Sequence, residues 1–147
     1  MKIAGSYTVP FPPERAYEMM QDPDVLARSI PGCESLEKIG ENEYRMKMKM
    51  VLASLSGAFE GKVRLADQKP PSSFRMVVEG SGKIGFVKGD GILTLTPKDG
   101  GTEVAYDGDA QVGGTMAAVG QRLIDATAKM MIKRFFENLR SVEVSSR

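Results

Sequence analysis

The change of sequence period near residue 112 constrains the fold of this chain more than any other feature. Between Glu34 and Val112, apolar and polar side chains alternate in six stretches, separated by the turn signals GEN, SLSG, KPPS and KDGG. Period-two alternation indicates half-buried strands, and the short turns between them indicate antiparallel pairing. Between Thr115 and Arg140 the period is helical and proline is absent, which predicts one long amphipathic helix.

The N-terminal part of the chain adds one more strand and two short helices. The segment KIAGSYTV alternates like a strand, Pro13 to Gln21 is predicted to be a helix with Glu14 near the positive end of its dipole, and Asp22 is the expected cap of a second short helix. We therefore predict an α+β fold in which a curved, seven-stranded antiparallel sheet wraps around the long C-terminal helix. This single domain would span residues 1–140, and residues 141–147 would form a short polar tail.

The stretch EYRMKMKMV, from Glu43 to Val51, alternates methionines with cations and raises the question of a basic strip for nucleic acid. Successive side chains of a strand point to opposite faces, so Arg45, Lys47 and Lys49 share one face and the methionines share the other. Neighbouring strands carry carboxylates on the same outer face, and the net charge of the chain is +1. We therefore predict a solvated sheet face of mixed charge and no binding of nucleic acid.

The ten methionines have two interpretations, which the residues alone leave open. Methionine is flexible and polarizable, so it fills ordinary cores and also lines deformable pockets for elongated apolar ligands. A sheet that curves around a helix tends to leave a gap at one end, which favours a ligand cavity there. The predicted cavity residues, assigned to the inner strand face and the apolar stripe of the helix, are Tyr44, Met46, Met48, Met50, Phe59, Met76, Phe86, Leu93, Tyr106, Met116, Leu123, Thr127 and Met130.

The chain contains no histidine and a single cysteine, Cys33. This excludes a Ser-His-Asp triad, a Cys-His pair and a structural zinc site, so we predict no catalytic residue and no metal ligand. The glycine-rich segment GSGKIGFVKGDG lacks the spacing of a phosphate-binding loop and permits a bulged hairpin or a close approach to a ligand. An enzyme would have to use the few polar side chains assigned to the cavity and its helix, namely Tyr44, Tyr106, Thr127, Arg122 and Arg134.

Apolar side chains surrounded by cations occur near the end of the predicted helix. Such an arrangement is typical of a docking patch for a membrane surface or a protein partner. The predicted docking patch consists of Lys129, Ile132, Lys133, Phe136 and Arg140. The alternative is that its apolar members pack against the two short helices, and the sequence leaves this alternative open, as it leaves open a homodimer.

Four segments of the chain together resemble a known protein family. They are SIPGCESLE, GAFEGKVRLAD, GSGKIGFVKGDGILTL and the run from Gly101 to Leu139, and their most specific parts are Pro31-Gly32-Cys33, Gly61-Lys62, Gly85-Phe86, Val112-Gly113-Gly114 and Gly120-Gln121-Arg122-Leu123. From about Met1 to Leu139 the chain resembles the CoxG family of carbon monoxide dehydrogenase subunits, which belongs to the helix-grip, START-like SRPBCC superfamily. The resemblance implies the same fold as the one predicted from the alternation.

The resemblance also implies a function, because members of this family are accessory proteins of aerobic molybdenum-containing carbon monoxide dehydrogenases and related hydroxylases. It implies a non-catalytic protein that binds a quinone or another elongated lipid between sheet and helix, with no covalently bound cofactor. The implied partners are molybdenum hydroxylase subunits and, peripherally, the inner face of the membrane. The single cysteine, the absence of a signal peptide and the absence of a long apolar window predict a cytoplasmic location. The alternatives are an enzyme like the polyketide cyclases and aromatases of the superfamily, or a docking adaptor with a filled core.

Overall fold

A computed structural model describes residues 1–52 and 54–145 of the 147-residue chain, and for residues 143–145 it describes the backbone alone. Along the chain, the elements are β1 (Lys2–Val9), α1 (Pro13–Gln21), α2 (Pro23–Ser29), β2 (Cys33–Gly40), β3 (Glu43–Leu52), β4 (Leu55–Lys69), β5 (Ser73–Gly82), β6 (Gly85–Lys98), β7 (Gly101–Gly113), a short 3-10 helix (Gly114–Val119) and α3 (Gln121–Ser145). The predicted α+β architecture is confirmed.

All strands belong to one antiparallel sheet, in the order β1-β7-β6-β5-β4-β3-β2. Strands β2 to β7 pair with their neighbours in sequence, as short turns require, and β1 pairs along its length with β7. The first and last strands therefore lie side by side, and β1 forms one edge of the sheet. No helix in the part of the chain that the structure describes is long and apolar enough to cross a membrane.

The two short helices begin where the sequence predicts. Pro13 opens α1, where its missing N–H would have no helical partner, and the side chain of Asp22 accepts a hydrogen bond from the backbone N–H of Asp24 at 2.9 Å at the start of α2. Helix α2 packs against α3 and β2. The Asn138 side chain of α3 donates to the backbone oxygen of Ser29 at 3.1 Å, which ties the two helices together.

The long helix differs from the prediction at both ends. Residues Gly114–Val119 form a separate 3-10 helix. Gly120, with φ of 102°, then changes the direction of the backbone before α3 begins at Gln121. A positive φ of this kind is accessible to glycine at little cost. The helix continues to Ser145, so most of the predicted polar tail is helical, and Val142 is buried in it. Of that tail, residues 146–147 lie outside the described part of the chain.

The core divides into two clusters along the sheet. One lies next to α1 and α2 and contains Val9, Phe11, Ala16, Tyr17, Met19, Met20, Leu26, Tyr44, Leu65, Phe74, Leu93, Leu95, Val104, Phe136 and Leu139. The other lies next to the 3-10 helix and contains Met46, Met48, Leu52, Phe59, Val63, Met116 and Ile124. Ile30, Leu36 and Met76 are half-buried and pack against both clusters, so the clusters meet at a seam that is less completely buried than either.

The cations of β3 face solvent on the convex side of the sheet, as predicted, while Met46 and Met48 are buried on the concave side. Carboxylates of neighbouring strands lie beside these cations. The ion pairs of this face are Lys2–Asp107 (2.9 Å), Arg45–Glu37 (3.9 Å), Lys47–Glu60 (3.8 Å), Lys49–Glu34 (3.7 Å), Lys62–Glu43 (3.6 Å), Lys98–Glu103 (3.1 Å) and Arg75–Asp90. Exposed pairs each contribute about 0–1 kcal/mol to stability, so this face mainly keeps the sheet hydrated and its charge balanced.

Candidate functional site

The centre of the concave face has open space above it. Val63, Val78, Gly89 and Ala110 form one row across β4, β5, β6 and β7, and Val63 is fully buried on the concave side. Paired residues of antiparallel strands point to the same face, so Gly89 also faces α3. A Cβ atom built on Gly89 would meet no atom of the described residues within 4 Å, apart from its own chain neighbours. No described atom of α3 therefore comes within 4 Å of this position.

The floor around Gly89 consists of residues with little or no side chain. Gly91 pairs with Gly108, and Gly61 pairs with Gly80, all on the concave side by the same alternation. A Cβ atom on Gly108 would lie 2.4 Å from the backbone oxygen of Asp90, so the backbones of β6 and β7 leave no room for one there. Open space above Gly89 and close backbone packing beside it make a smooth, apolar floor. We call the space above this floor, between the sheet and α3, the concave cleft.

Half-buried apolar side chains surround the concave cleft. All six are only half-buried. Four point to the concave side from their strands (Met76, Val78, Val87 and Val112), Ile84 lies in the turn before β6, and Met131 lies on α3. Large apolar side chains in a well-packed core are normally fully buried. Their partial exposure agrees with a space between sheet and helix that the protein's own side chains do not fill.

A pocket of about 490 Å³ opens at the edge of the sheet, between β1 and the first turns of α3. Its lining residues are Met1, Lys2, Ile3, Ala4, Tyr106, Gln121, Asp125, Lys129 and Ile132. Its floor continues the floor of the concave cleft, because Ile3 pairs with Gly108, which pairs with Gly91. Neighbouring strands lie about 4.8 Å apart, so β6 and Gly89 are about 10 Å from β1. The β1–α3 pocket therefore lies on the same face of the sheet as the concave cleft, about two strand spacings from Gly89.

Tyr106 reaches this edge because of a glycine on the neighbouring strand. Gly5 pairs with Tyr106, and a Cβ atom on Gly5 would lie only 2.5 Å from the tyrosine hydroxyl oxygen and 2.9 Å from Cζ. The ring of Tyr106 therefore lies across Gly5, with its hydroxyl directed over the edge strand. Burial of the ring, and to a lesser degree the neighbouring Tyr7, raise the pKa of Tyr106, so its hydroxyl keeps its proton at neutral pH.

An aromatic cluster supports Tyr106 on the side away from the pocket mouth. Tyr7 stacks on Phe136 with ring centroids 4.9 Å apart, and Phe135 packs edge-on against Phe136 at 5.1 Å. Tyr106 lies nearly parallel to Tyr7 at 6.3 Å. Aromatic pairs of this kind contribute about 0.5–1.5 kcal/mol each beyond their buried area, so the cluster fixes the orientation of the Tyr106 ring.

The structure places the predicted cavity residues in three environments. Those that are buried, and so belong to the core clusters, are Tyr44, Met46, Met48, Phe59, Leu93 and Met116. Those that are half-buried on the side of the helix are Met50, Met76, Tyr106 and Thr127. Of these four, Tyr106 lines the β1–α3 pocket and Met76 lies at the seam between the clusters.

Three of the predicted cavity residues are on exposed surfaces, and their assignment to the inner side is wrong. Phe86 is 40% exposed, because β6 is regular from Gly85 onward and places Phe86 on the convex face, where its ring covers Gly113. Leu123 and Met130 are 37% and 42% exposed. They lie seven residues apart on the outer side of α3, because the helix begins only after the break at Gly120.

The predicted docking patch is also wrong in its apolar part. Phe136 is only 2% exposed and stacks within the aromatic cluster, and Ile132 is half-buried against the core and lines the β1–α3 pocket. Both side chains pack against the core cluster next to α1 and α2, and the ring contacts of Phe136 are with Tyr7 of β1, Tyr106 of β7 and Phe135. Lys129, Lys133 and Arg140 are exposed, and the guanidinium of Arg140 donates to the backbone oxygen of Thr8.

The polar side chains that an enzyme would need do not converge. Arg122 and Arg134 are exposed on the outer side of α3, Tyr44 is buried in the core, and Thr127 is half-buried on the helix. No group of three or more His, Cys, Asp or Glu residues within the described part of the chain could hold a metal ion. The Cys33 thiol is half-buried, and burial is the main cause that raises its pKa, which makes it a weak nucleophile.

Sequence reasoning did not assign Gly5 or Gly108 to the site, and it placed Gly89 only within a segment that permits a bulged hairpin or a close approach to a ligand. The signal was present for Gly89, since Gly89 and Gly91 alternate in GDG and so fall on one strand face. Gly5 stands out only once its pairing with Tyr106 is known, because β1 and β7 are about 100 residues apart in sequence.

Comparisons with known proteins agree with this architecture. The family model of CoxG, a subunit of carbon monoxide dehydrogenase, matches residues 5–143. A conserved protein from Geobacillus kaustophilus of known crystal structure is similar to the chain with 34% sequence identity and a TM-score of 0.93, over 99% of this chain and 97% of that one. No curated protein matches the chain.

More distant crystal structures share the fold alone. ZhuI aromatase/cyclase from Streptomyces sp. R1128 has 13% identity and a TM-score of 0.66, over 100% of this chain and 96% of that one. Ara h 8.0201 has 16% identity and a TM-score of 0.64, over 99% and 98%. The architecture is thus the helix-grip fold, and with a family model that covers nearly all of its length, the chain belongs to the CoxG family of carbon monoxide dehydrogenase subunits.

Proposed function

We propose that this protein is a non-catalytic accessory protein of an aerobic molybdenum-type carbon monoxide dehydrogenase or a related hydroxylase, and that it binds an elongated apolar ligand, a quinone or a lipid, in the concave cleft. Family membership supports an accessory role in carbon monoxide dehydrogenase function. The observation that carries the ligand-binding part is the open space above Gly89, at the centre of the face that α3 should cover.

Several features of the concave cleft fit an apolar chain. Its floor is glycine and alanine backbone, and its surroundings are half-buried valine, isoleucine and methionine side chains. Each CH₂ group that a ligand buries there contributes about 0.8 kcal/mol, so a chain of ten carbons supplies roughly 8 kcal/mol before the cost of immobilising it. Met76 and Met131 can change rotamer to follow the chain, which favours tolerance of several ligands over one sharp preference.

The exposed side of α3 is the surface that we assign to the partner. Arg122, Lys129, Lys133 and Arg134 make no ion pair with any residue that the structure describes, whereas the cations of β3 are paired with carboxylates. Unpaired cations on one helix face favour an acidic surface. The apolar side chains on this face are only partly exposed and leave little to insert into a bilayer, so an acidic patch of the partner enzyme fits better than lipid.

A thermal shift experiment on delipidated protein tests the ligand. A menaquinone analogue with a short isoprenoid tail, or a long-chain fatty acid, at about 100 times its Kd should stabilise the fold by about 2.7 kcal/mol. For a domain of this size that corresponds to a Tm rise of several degrees, at roughly 2–4 °C per kcal/mol. Native mass spectrometry of the protein as purified should show a copurifying lipid or quinone. If no candidate raises the Tm and none copurifies, the docking adaptor with a filled core becomes the better account, and turnover of an added polyketide would instead favour the enzyme.

Binding to purified carbon monoxide dehydrogenase subunits tests the partner. The double variant K133E/R134E should bind at least tenfold more weakly at low salt than the wild type, and added salt should weaken the wild type as well. The matched control is K47E/K49E, which makes the same change in net charge on the convex sheet face and should bind normally. Equal loss in both variants would refute a specific role for α3, and wild-type binding to anionic vesicles but not to the enzyme would replace the partner by a membrane.

A further inference from the structure

The hydroxyl of Tyr106 lies at the edge of a largely apolar space as a free hydrogen-bond donor. Among the described residues it makes no hydrogen bond, in contrast to Tyr17, whose hydroxyl donates to the backbone oxygen of Ser73 at 3.0 Å. The Gly5 position on the edge strand lets the Tyr106 ring lie flat, so this donor lines the β1–α3 pocket.

The rim of the same pocket also carries an available cation. The carboxylate of Asp125 accepts a hydrogen bond from the Gln121 side chain at 2.8 Å, and Lys2 pairs with Asp107 at 2.9 Å. Lys129 forms no ion pair with any residue in the described part of the chain. The groups of the pocket that can donate to a ligand are thus the Tyr106 phenol and the Lys129 ammonium, which favour an acceptor oxygen, while the Asp125 carboxylate keeps a second oxygen as an acceptor at the same rim.

We propose that the β1–α3 pocket is the head-group subsite of the ligand, in which the Tyr106 hydroxyl donates a hydrogen bond to an acceptor oxygen, either a carboxylate or a ketone, while the apolar tail lies in the concave cleft. This inference rests on the proposed function and adds the orientation of the ligand and the chemistry of its head. The pocket lies about 10 Å from Gly89 across two strand spacings, so a head at the edge places the tail over the glycine floor. The head remains at the sheet edge, where it can be exchanged with a partner without unfolding the core.

The variant Tyr106→Phe removes the donor and keeps the ring that stacks with Tyr7. Its Kd for palmitic acid and for a short-tailed menaquinone analogue, measured by calorimetry, should be about tenfold weaker than that of the wild type, the equivalent of about 1.4 kcal/mol. Its Kd for n-hexadecane, which has a tail and no acceptor, should not change. Tyr7→Phe is the matched control, because it also removes a phenol hydroxyl from the aromatic cluster but does not line the pocket, and it should bind all three probes normally.

Lys129→Met separates the two sources of the acceptor oxygen. It should weaken binding of palmitate, whose carboxylate is charged, several-fold more than binding of the quinone, whose ketone is neutral. Lys47→Met, the same change on the convex face, should affect neither. Unchanged affinity of Tyr106→Phe for both oxygen-bearing probes would overturn the subsite and leave the proposed function standing. A loss of affinity for hexadecane equal to the loss for the oxygen-bearing probes would have the same consequence, because it would mean that Tyr106 acts by packing. If the wild type binds none of the probes, the proposed function fails and the subsite fails with it.

Discussion

Replacing Gly89 by leucine should stabilise the ligand-free protein and abolish ligand binding at the same time. A Cβ atom at this position meets no described residue within 4 Å, and the backbone φ is not in the left-handed region, so a side chain can enter the concave cleft without strain. Loss of glycine's freedom in the unfolded chain contributes about 0.4–1 kcal/mol, and burial of part of a leucine side chain contributes about another 1 kcal/mol. The free energy of unfolding should therefore rise by about 1–2 kcal/mol and the Tm by about 2–8 °C.

The control for this substitution is a glycine on the adjacent strand that faces the same side. A Cβ atom on Gly108 would lie 2.4 Å from the backbone oxygen of Asp90 and 2.7 Å from the Cα atom of Gly91. Gly108→Ala should therefore force β6 and β7 apart and destabilise the protein by about 1–3 kcal/mol. Gly89→Ala, the same chemical change, should be neutral or slightly stabilising.

Urea denaturation of ligand-free protein gives the stabilities, and thermal shift with palmitic acid gives the ligand response. Wild-type protein should show a rise of several degrees with ligand, and Gly89→Leu should show a higher starting Tm with no further rise. Destabilisation of Gly89→Leu comparable to that of Gly108→Ala would mean that α3 does cover the floor and that the concave cleft does not exist. A stable Gly89→Leu protein that still binds palmitic acid would place the ligand elsewhere.

Three further predictions concern the scaffold. Phe136→Ala should lower the free energy of unfolding by about 3–5 kcal/mol because the ring is buried in the aromatic cluster. A loss below 1 kcal/mol in urea denaturation would mean that Phe136 is exposed, as the predicted docking patch requires. Asp22→Ala should cost about 1 kcal/mol by removing the cap of α2, whereas Asp22→Asn should cost little, and equal losses would show that the negative charge matters more than the hydrogen bond. Cys33 should react with a thiol reagent at pH 7 more slowly in the folded than in the urea-unfolded protein, because its raised pKa and partial burial lower the accessible thiolate, and equal rates would contradict both.

The alternation in the sequence predicted the sheet well because one face of each strand is buried and the other is exposed to solvent. In β3 the buried members Tyr44, Met46 and Met48 alternate without exception with exposed cations, and a slip of one residue would have inverted the whole pattern. Because short turns join the six consecutive strands, each was expected to pair with its neighbours in sequence, which is the observed order. The side of each residue in such strands follows from local sequence alone.

The same reasoning failed at Phe86 because the strand begins earlier than the turn signals indicate. Treating GSGKIGFVKGDG as an irregular hairpin leaves Phe86 and Leu93 free to share a face. In the structure, β6 is continuous from Gly85, and residues seven positions apart in a regular strand lie on opposite faces. Glycines usually mark turns, and here several of them lie within a strand, where they form the floor of the concave cleft.

The predicted apolar stripe of the long helix was wrong for a related reason, because the helical period is interrupted. A continuous helix from Thr115 places Met116, Leu123 and Met130 on one stripe at intervals of seven residues. Met116 is indeed buried, but it belongs to the 3-10 helix, and the break at Gly120 rotates α3 relative to it. The buried side of α3 is instead the one that carries Ile124, while Leu123 and Met130 face outward.

Whether a space lies open between sheet and helix is a different kind of property, because no residue type encodes it. Gly89 and Gly108 are the same residue, on adjacent strands, facing the same side, yet an added Cβ would meet open space at one and backbone at the other. The difference arises from strand spacing and from where α3 crosses the sheet, and that crossing follows from the chain direction at Gly120 and the packing of α3 on α2. A sequence pattern can therefore indicate which side chains face inward, whereas the distance between the layers they face is set by contacts far apart in sequence. The glycines matter to the proposed function because, in that proposal, they form the floor along which the ligand lies, and Gly5 matters because it leaves room for the Tyr106 ring at the edge of the sheet.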